Sequence, residues 1–119
     1  LSTAARAIQL VTMPVGPILN PALEILCAPM YYMYVLVMSN NQLYIGFAPN
    51  LKERIQKHKE GKVFTTKKYL PVRLVYYECY LSKKDALERE YQIKRFGSTW
   101  SHLRKRISYS IKESQGRGK

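Results

Sequence analysis

The stretch Gln42–Gly61, QLYIGFAPNLKERIQKHKEG, contains the signals of a strand followed by a helix. Its start, LYIGF, is rich in β-branched and aromatic residues, as is typical of strands. Asn50 is a good helix N-cap, Glu53 three residues later completes a capping-box pattern, and Gly61 is a typical helix end. We therefore predict a strand, a turn, and a helix from Leu51 to about Glu60.

The flanking segments predict two more strands. YYMYVLVM at residues 31–38 is almost continuously apolar, which favours a buried central strand, and the asparagines of SNNQ favour a tight turn after it. VRLVYYECYL at residues 72–81 is the third. Period-2 alternation predicts Tyr76 and Tyr80 on one of its faces and Val75 and Tyr77 on the other.

The remaining chain predicts two further helices. Ser82 and Asp85 resemble the capping pattern at Asn50, and that helix is expected to end near Arg95. Ser98 or Thr99 is the expected cap of a third helix, whose apolar residues recur at near-helical spacing. The predicted order is β-β-α-β-α-α, a sheet of about three strands with helices packed against it.

Charge divides the chain into unequal parts. Lys and Arg number 20 and Asp and Glu number 8, and residues 1–29 hold only Arg6 and Glu24, so the net charge of +12 lies in residues 30–119. We predict that residues 1–29, which contain four prolines, are a poorly ordered or mis-assigned extension, with a short helix over 21–26 as the alternative. One domain is expected over 30–112, and a flexible basic tail over 113–119.

Composition also restricts the partners. So basic a domain is expected to attract a polyanion such as nucleic acid, and the alternative is an inert basic surface. The prolines of the first segment argue against a membrane-spanning helix, so no membrane partner is expected. Cys27 and Cys79 lack metal-ligand spacing, which favours a reducing, cytoplasmic setting. The oligomeric state is left open.

One carboxylate stands out in the second predicted helix. At about 100° per residue, Glu90 falls within an arc formed by Ala86, Leu87 and Ile93, whereas Glu88 falls on the opposite face. Burying a carboxylate is costly without compensation. Two interpretations stay open: a partly buried ion pair with the lysine at i+4, or a metal-binding or catalytic carboxylate.

Two further pairs allow either a structural or a chemical interpretation. Arg54 and His58 share a helix face. They are either part of a solvated basic stripe or a phosphate-binding arginine with a proton-relay histidine. Tyr34 and Tyr44 lie on strands joined by a tight turn. They are either core residues or phenols whose pKa a nearby arginine or metal would lower enough for general-base catalysis.

These residues resemble the motifs of the GIY-YIG nuclease domain, especially its small standalone bacterial members. Tyr44-Ile45-Gly46 matches the second motif, and Tyr32-Met33-Tyr34 keeps the last tyrosine of the first motif without its glycine. Arg54 and His58 stand where the family carries an arginine and then His or Tyr. The resemblance covers residues 30–107 and implies the GIY-YIG fold, of class α/β (α+β), with a small three-stranded antiparallel sheet flanked by helices.

The resemblance also implies an activity. The family hydrolyses DNA phosphodiester bonds with a divalent metal, Mg²⁺ or Mn²⁺, so the implied role is an endonuclease, with DNA repair or recombination as its setting. The implied catalytic residues are Tyr34, Tyr44, Arg54, His58 and Glu90, with Glu90 as metal ligand and Glu88 as its fallback. Candidates for contacts to the DNA backbone, with little sequence specificity, are Lys67, Lys68, Arg73, Lys94, Arg95, Arg104, Lys105 and Arg106.

Two rival functions share the basic surface. The first is a non-catalytic nucleic-acid-binding module on the same fold, which needs no metal. The second is an RNA-associated basic protein, which competition between RNA and DNA distinguishes. Metal-dependent cutting separates the nuclease from both.

Overall fold

Within residues 29–117, three strands form an antiparallel sheet flanked by four α-helices, which confirms the predicted fold class. The computed structural model describes residues 29–117, so the extension predicted over 1–29 lies outside the described residues except for Pro29. The elements are β1 Tyr31–Val37, β2 Leu43–Ala48, α1 Leu51–Lys59, a 3-10 turn Lys67–Tyr69, β3 Arg73–Tyr80, α2 Lys83–Arg95, α3 Gly97–Arg106 and α4 Ser108–Arg117. The strand order is β2-β1-β3, so β1 is the central strand.

The central strand divides the core between its two faces. Met33, Val35 and Val37 pack with residues from α2, α3 and α4. The alternate residues Tyr34 and Leu36 pack on the other face with residues of α1. Both faces of β1 are therefore buried, which explains its nearly continuous apolar sequence.

The turn and the first helix follow their predicted signals. Asn41 adopts the left-handed conformation, with φ of 66°, between β1 and β2. Asn50 caps α1, because its side-chain Oδ1 accepts a hydrogen bond of 3.1 Å from the backbone N–H of Glu53. Gly61 has φ of 73°, a conformation that favours glycine after a helix.

The predicted face alternation in β3 is wrong at Val75. Val35 pairs with Tyr76 while Leu36 pairs with Leu74, so the register shifts and Val75 is an extra residue. Val75 therefore packs against the same core cluster as Tyr76. A β-bulge of this kind inserts one residue and breaks the period of two.

The helix α2 follows Ser82 and ends at Arg95 as predicted, whereas the helix expected after Gly97 differs from its prediction. Ser82 precedes α2 but its side chain makes no capping hydrogen bond. The cap of α3 is Phe96 rather than Ser98 or Thr99. The single helix predicted after Gly97 is two helices, which meet at Ile107.

The C-terminal prediction is also corrected. Residues 113–117, expected in a flexible tail, belong to α4. Ser114 is buried there and its hydroxyl donates a 2.7 Å hydrogen bond to the carbonyl of Ile111. Leu103, Ile107 and Ile111 all enter the same core, so the apolar period runs through the helix break and conceals it. Within residues 29–117, no helix has the length and apolar character needed to span a membrane.

Candidate active site

The centre of the candidate site is the phenol of Tyr34, which crosses from the central strand to the edge strand. Tyr34 pairs with Gly46 of β2 and is fully buried. A Cβ at Gly46 would lie 2.8 Å from Cε1 of the Tyr34 ring, and closer still to the hydroxyl end of the ring. The glycine of the Tyr44-Ile45-Gly46 motif therefore leaves the space that the ring of Tyr34 occupies.

A buried hydrogen-bonded chain connects this phenol to α1. The hydroxyl of Tyr34 lies 2.8 Å from His58 Nε2, and His58 Nδ1 lies 2.8 Å from Thr66 Oγ1. His58 and Thr66 are both fully buried. The ring therefore has a partner on each nitrogen. Either Tyr34 donates to Nε2 while Nδ1–H donates to Thr66, or Thr66 donates to Nδ1 while Nε2–H donates to Tyr34.

His58 is held in its neutral form. Burial, and secondly the positive charge of Arg54, lower the pKa of His58 to about 4. At neutral pH the imidazole thus carries one proton and can accept on one nitrogen while it donates from the other. Because the pKa of His58 is far below 7, His58 can act as the expected proton relay only in this neutral form.

The phenol of Tyr34 differs from the expectation. Burial raises the pKa of Tyr34 to about 12, although hydrogen bonding to Arg54 acts in the opposite direction. Arg54 acts in the predicted direction, but desolvation outweighs it, so the pKa of Tyr34 is raised rather than lowered. Tyr44 is only partly buried; its ring centroid lies 6.3 Å from that of Tyr34 and 5.2 Å from that of His58.

Arg54 brings a cation to the same cluster. Hydrogen bonding to Tyr34, with a smaller effect of Tyr44, raises the pKa of Arg54, so the guanidinium stays charged beside the two tyrosine side chains. Among the described residues, Nε of Arg54 is buried and has no hydrogen-bond partner. Arg54 therefore offers positive charge that no carboxylate neutralises at hydrogen-bond distance in this part of the chain.

Glu90 combines both interpretations left open by the sequence. Its side chain is 19% exposed, and its Oε2 lies 3.1 Å from Nζ of Lys94. Its charge also reaches the cluster, because it adds to the rise in the pKa of Tyr34 that burial mainly causes. Glu88 is exposed and accepts a hydrogen bond from Gln92 instead. Of the two carboxylates, Glu90 is the one whose charge acts on Tyr34.

Comparison with known proteins identifies the family of this chain. The family model described as the GIY-YIG catalytic domain matches residues 30–99, more than half of the chain. The chain belongs to the GIY-YIG family. This is a family of endonucleases that generally depend on a divalent metal.

Curated GIY-YIG relatives of this chain carry the name UPF0213. The UPF0213 protein SH2523 of Staphylococcus haemolyticus is 43% identical over 67 residues, which cover 56% of this chain and 82% of that protein. A UPF0213 protein of Bacillus pumilus is 36% identical over 76 residues, covering 63% and 74%. The solution NMR structure of UPF0213 protein BH0048 from Bacillus halodurans is 26% identical, with a TM-score of 0.45, and covers 70% of this chain and 93% of that one.

The divalent metal that GIY-YIG nucleases generally use needs oxygen donors at the site. No group of three or more His, Cys, Asp or Glu side chains lies together within residues 29–117. Glu90 is thus a single carboxylate. Mg²⁺ commonly keeps several waters and binds through one or two carboxylates together with substrate phosphates, so the residues fit an ion that binds with its substrate.

The eight cations predicted to contact DNA do not form one surface. Lys67 and Lys68 are exposed on the 3-10 turn next to Thr66. Lys94 and Arg104 line a groove of about 380 Å³ along the edge strand. The other four lie elsewhere. The charge of Arg106 opposes the rise that burial causes in the pKa of Tyr76, which is on the sheet face opposite Tyr34. Arg73 begins β3, and Arg95 and Lys105 are exposed at or near the ends of α2 and α3.

Two structural partners were not predicted from the sequence. Thr66 orients His58, yet nothing in the loop KVFTTKKYL distinguishes it from Thr65.

Arg89 of α2 forms a double ion pair with Glu78 of β3, with distances of 2.9 and 3.2 Å. The adjacent position of Glu90 on α2 makes this pair an anchor for the helix that carries it. An i+11 pairing between separate elements leaves no periodic signal in sequence.

Proposed function

We propose that the protein is an endonuclease that hydrolyses DNA phosphodiester bonds with a divalent metal, Mg²⁺ or Mn²⁺. The observation that carries the proposal is the cluster formed by Tyr34, Tyr44, Arg54 and His58, which Glu90 approaches from α2. Residues of two strands and of α1 meet there, and a structural core has no need of a charged arginine next to two phenols.

Arg54 is assigned to the scissile phosphate. Its guanidinium has no carboxylate partner at ion-pair distance among the described residues and can bind phosphate oxygens in a bidentate manner. Positive charge at that position offsets the negative charge that develops as the phosphodiester is attacked. The side chains beside it are tyrosines rather than carboxylates, so its charge is available to the substrate.

Tyr44 is assigned to the attacking water, and Tyr34 is assigned a positioning role. A phenol with a pKa of about 12 is a poor acceptor of the water's proton in its neutral form and rarely ionised at neutral pH. Tyr44 is less buried and lies beside both Arg54 and His58. His58, neutral and fixed by Tyr34 and Thr66, can pass a proton along the chain without becoming charged.

Glu90 is assigned to the metal. When bound, the ion polarises the phosphate and stabilises the leaving oxygen. Glu90 must then share or release its ion pair with Lys94, whose side chain is 52% exposed and free to turn toward DNA. Since one carboxylate is a weak site, phosphate oxygens and waters complete the ligand set, and the metal binds poorly without DNA.

The proposed setting is the processing of DNA in repair or recombination, in a reducing cytoplasmic compartment. Cys79 is a free, exposed thiol, which suits such a compartment. The proposed domain begins at Met30, the first residue that the family model matches. DNA contacts through lysine and arginine alone carry little sequence information, so low sequence specificity is part of the proposal.

The test is a nicking assay on supercoiled and branched DNA, with Mg²⁺ or with a chelator. The proposal expects cutting with Mg²⁺ and none with the chelator. It also expects Tyr44→Phe to lower the cutting rate more than Tyr34→Phe. Salt-sensitive DNA binding without cutting under any metal would instead identify the non-catalytic binding module. The ion pair with Lys94 would then be the structural role of Glu90.

A further inference from the structure

Phe64 is a large apolar side chain that the loop after α1 holds outward. It is 77% exposed, whereas Val63 and Thr66 on either side of the turn are buried. The backbone N–H groups of Thr66 and Lys67 both donate to the carbonyl of Val63, at 3.2 and 3.0 Å. The turn is thus fixed at its base, and Phe64 and Thr65 occupy its outer side.

This loop is also part of the candidate active site. Thr66 is the residue that binds Nδ1 of His58. Phe64 stands two residues earlier, so its Cα lies within about 7 Å of the Cα of Thr66. The backbone that carries Phe64 therefore lies close to the residue that orients His58.

Positive charge surrounds the ring. Nζ of Lys67 lies 4.9 Å from the centroid of the Phe64 ring, a cation–π distance. Lys62 and Lys68 are exposed in the same loop. Isolated exposed apolar residues are common on protein surfaces. Here the aromatic surface is combined with cations and lies next to a site suited to phosphate, a combination that complements a nucleobase and its backbone.

We propose that Phe64 stacks on an unpaired DNA base beside the scissile phosphate. A base within a continuous duplex is already stacked on both sides, so only an unpaired or extruded base can use the ring. The substrate class is therefore DNA with single-stranded nucleotides at the cut, such as a flap, gap or branch. This inference rests on the proposed function, whose site it extends.

Binding in the presence of a chelator tests the inference without cutting. The probe is a DNA flap with 2-aminopurine as the unpaired base, whose fluorescence falls when it stacks; the comparison is a continuous duplex of the same sequence. We expect Phe64→Ala to bind the flap about 10-fold more weakly and to lose the quenching, with duplex binding unchanged. Phe64→Trp should retain both.

A matched control exists on α4. Tyr109 is 83% exposed and has Nζ of Lys112 6.0 Å from its ring centroid, but it lies outside the cluster. Tyr109→Ala should bind the flap as the parent does. The inference is overturned if Phe64→Ala matches Tyr109→Ala, or if it weakens flap and duplex equally.

Failure of the inference is distinguishable from failure of the proposed function. Metal-dependent cutting that is equal in the parent and in Phe64→Ala on flap DNA overturns the stacking proposal alone. Absence of cutting by the parent, with flap binding that still depends on Phe64, overturns the nuclease proposal and supports the stacking of an unpaired base.

Discussion

At the scale of single residues, the space above Gly46 decides whether the site forms. We expect Gly46→Ala to destabilise the fold by about 1–3 kcal/mol, because its Cβ would overlap the ring of Tyr34, which backbone pairing holds in place. Urea unfolding measures the change. Gly97→Ala is the control, since nothing lies within 4 Å of a Cβ there and alanine favours a helix. Equal effects of the two variants would contradict the proposed ring position.

The two histidines provide a second test at this scale. The pKa of His58 falls from 6.5 to about 4 on folding, so between these pH values the unfolded chain binds a proton that the folded chain does not. Stability from His58 is therefore present above about pH 6.5, decreases as the pH falls to about 4, and is then constant. The loss is up to about 3 kcal/mol.

Unfolding measured from pH 7 to pH 4 checks this linkage by comparing variants. His58→Gln should show a smaller loss of stability over that range than the parent. His102→Gln should follow the parent, because His102 is exposed. If His58→Gln keeps the full pH dependence of the parent, His58 is not the buried neutral group described here.

Residue chemistry was only partly predictable from sequence. Tyr34, Tyr44, Arg54, His58 and Glu90 were named by spacing and by resemblance. The first four lie in one cluster, and the catalytic roles of all five stay predictions. The direction of the Tyr34 pKa shift was not predictable, because it depends on how completely the surrounding elements exclude water. The partnership of Thr66 with His58 also depends on the path of a loop rather than on a periodic pattern.

At the scale of elements, an ion pair anchors α2 to the sheet. Glu78 of β3 accepts from Arg89 of α2 and from the hydroxyls of Tyr76 and Tyr80. The pair is mostly buried, with side-chain exposures of 15% and 27%. We expect Glu78→Gln to cost about 2 kcal/mol, since the charge of Arg89 loses its partner.

The exposed pair of Glu53 and Lys57 is the control for this measurement. Its atoms are 3.6 Å apart and both side chains are at least half exposed. Lys57→Gln should change the unfolding free energy by no more than about 0.5 kcal/mol. A cost for Glu78→Gln that is no larger than this would show that the Glu78–Arg89 pair does not anchor α2.

Local signals predicted elements where the signal was itself local. The cap at Asn50 and the left-handed turn at Asn41 depend on neighbouring backbone groups, and both were predicted. The bulge at Val75 depends on the register with β1, and the break at Ile107 preserves the apolar period. The sequence around Val75 reads as a regular strand, and the sequence around Ile107 reads as a single helix, so neither irregularity was predicted.

At the scale of the whole molecule, the distribution of charge matters more than the net charge of +12. We expect Lys67→Gln with Lys68→Gln to reduce the salt dependence of DNA binding by about 1.8 in log–log slope, about 0.9 for each phosphate that no longer has a lysine partner. These lysines adjoin the Phe64 loop and Thr66. Binding titrations between low and moderate salt give the slope.

A second double variant removes the same charge elsewhere. This variant combines Lys105→Gln and Arg106→Gln at the end of α3. The charge of Arg106 opposes the rise that burial causes in the pKa of Tyr76, which is on the sheet face opposite Tyr34. Its slope should change by much less than that of the loop variant. Equal changes would mean that DNA does not approach from the side of the candidate site. The sequence identified all these cations but not their separation, which the helix packing determines.

The central claim is that Glu90 belongs to a metal-dependent phosphate-cleaving site. Nicking of branched DNA with Mg²⁺ by Glu90→Gln and Glu88→Gln tests it most directly. The two carboxylates lie on the same helix, but the charge of Glu90 acts on Tyr34, whereas Glu88 is exposed and bonded to Gln92. The account predicts that Glu90→Gln cuts at least about 100-fold more slowly and that Glu88→Gln cuts as the parent does. Cutting by Glu90→Gln at the parental rate, or equal losses in both variants, would contradict it.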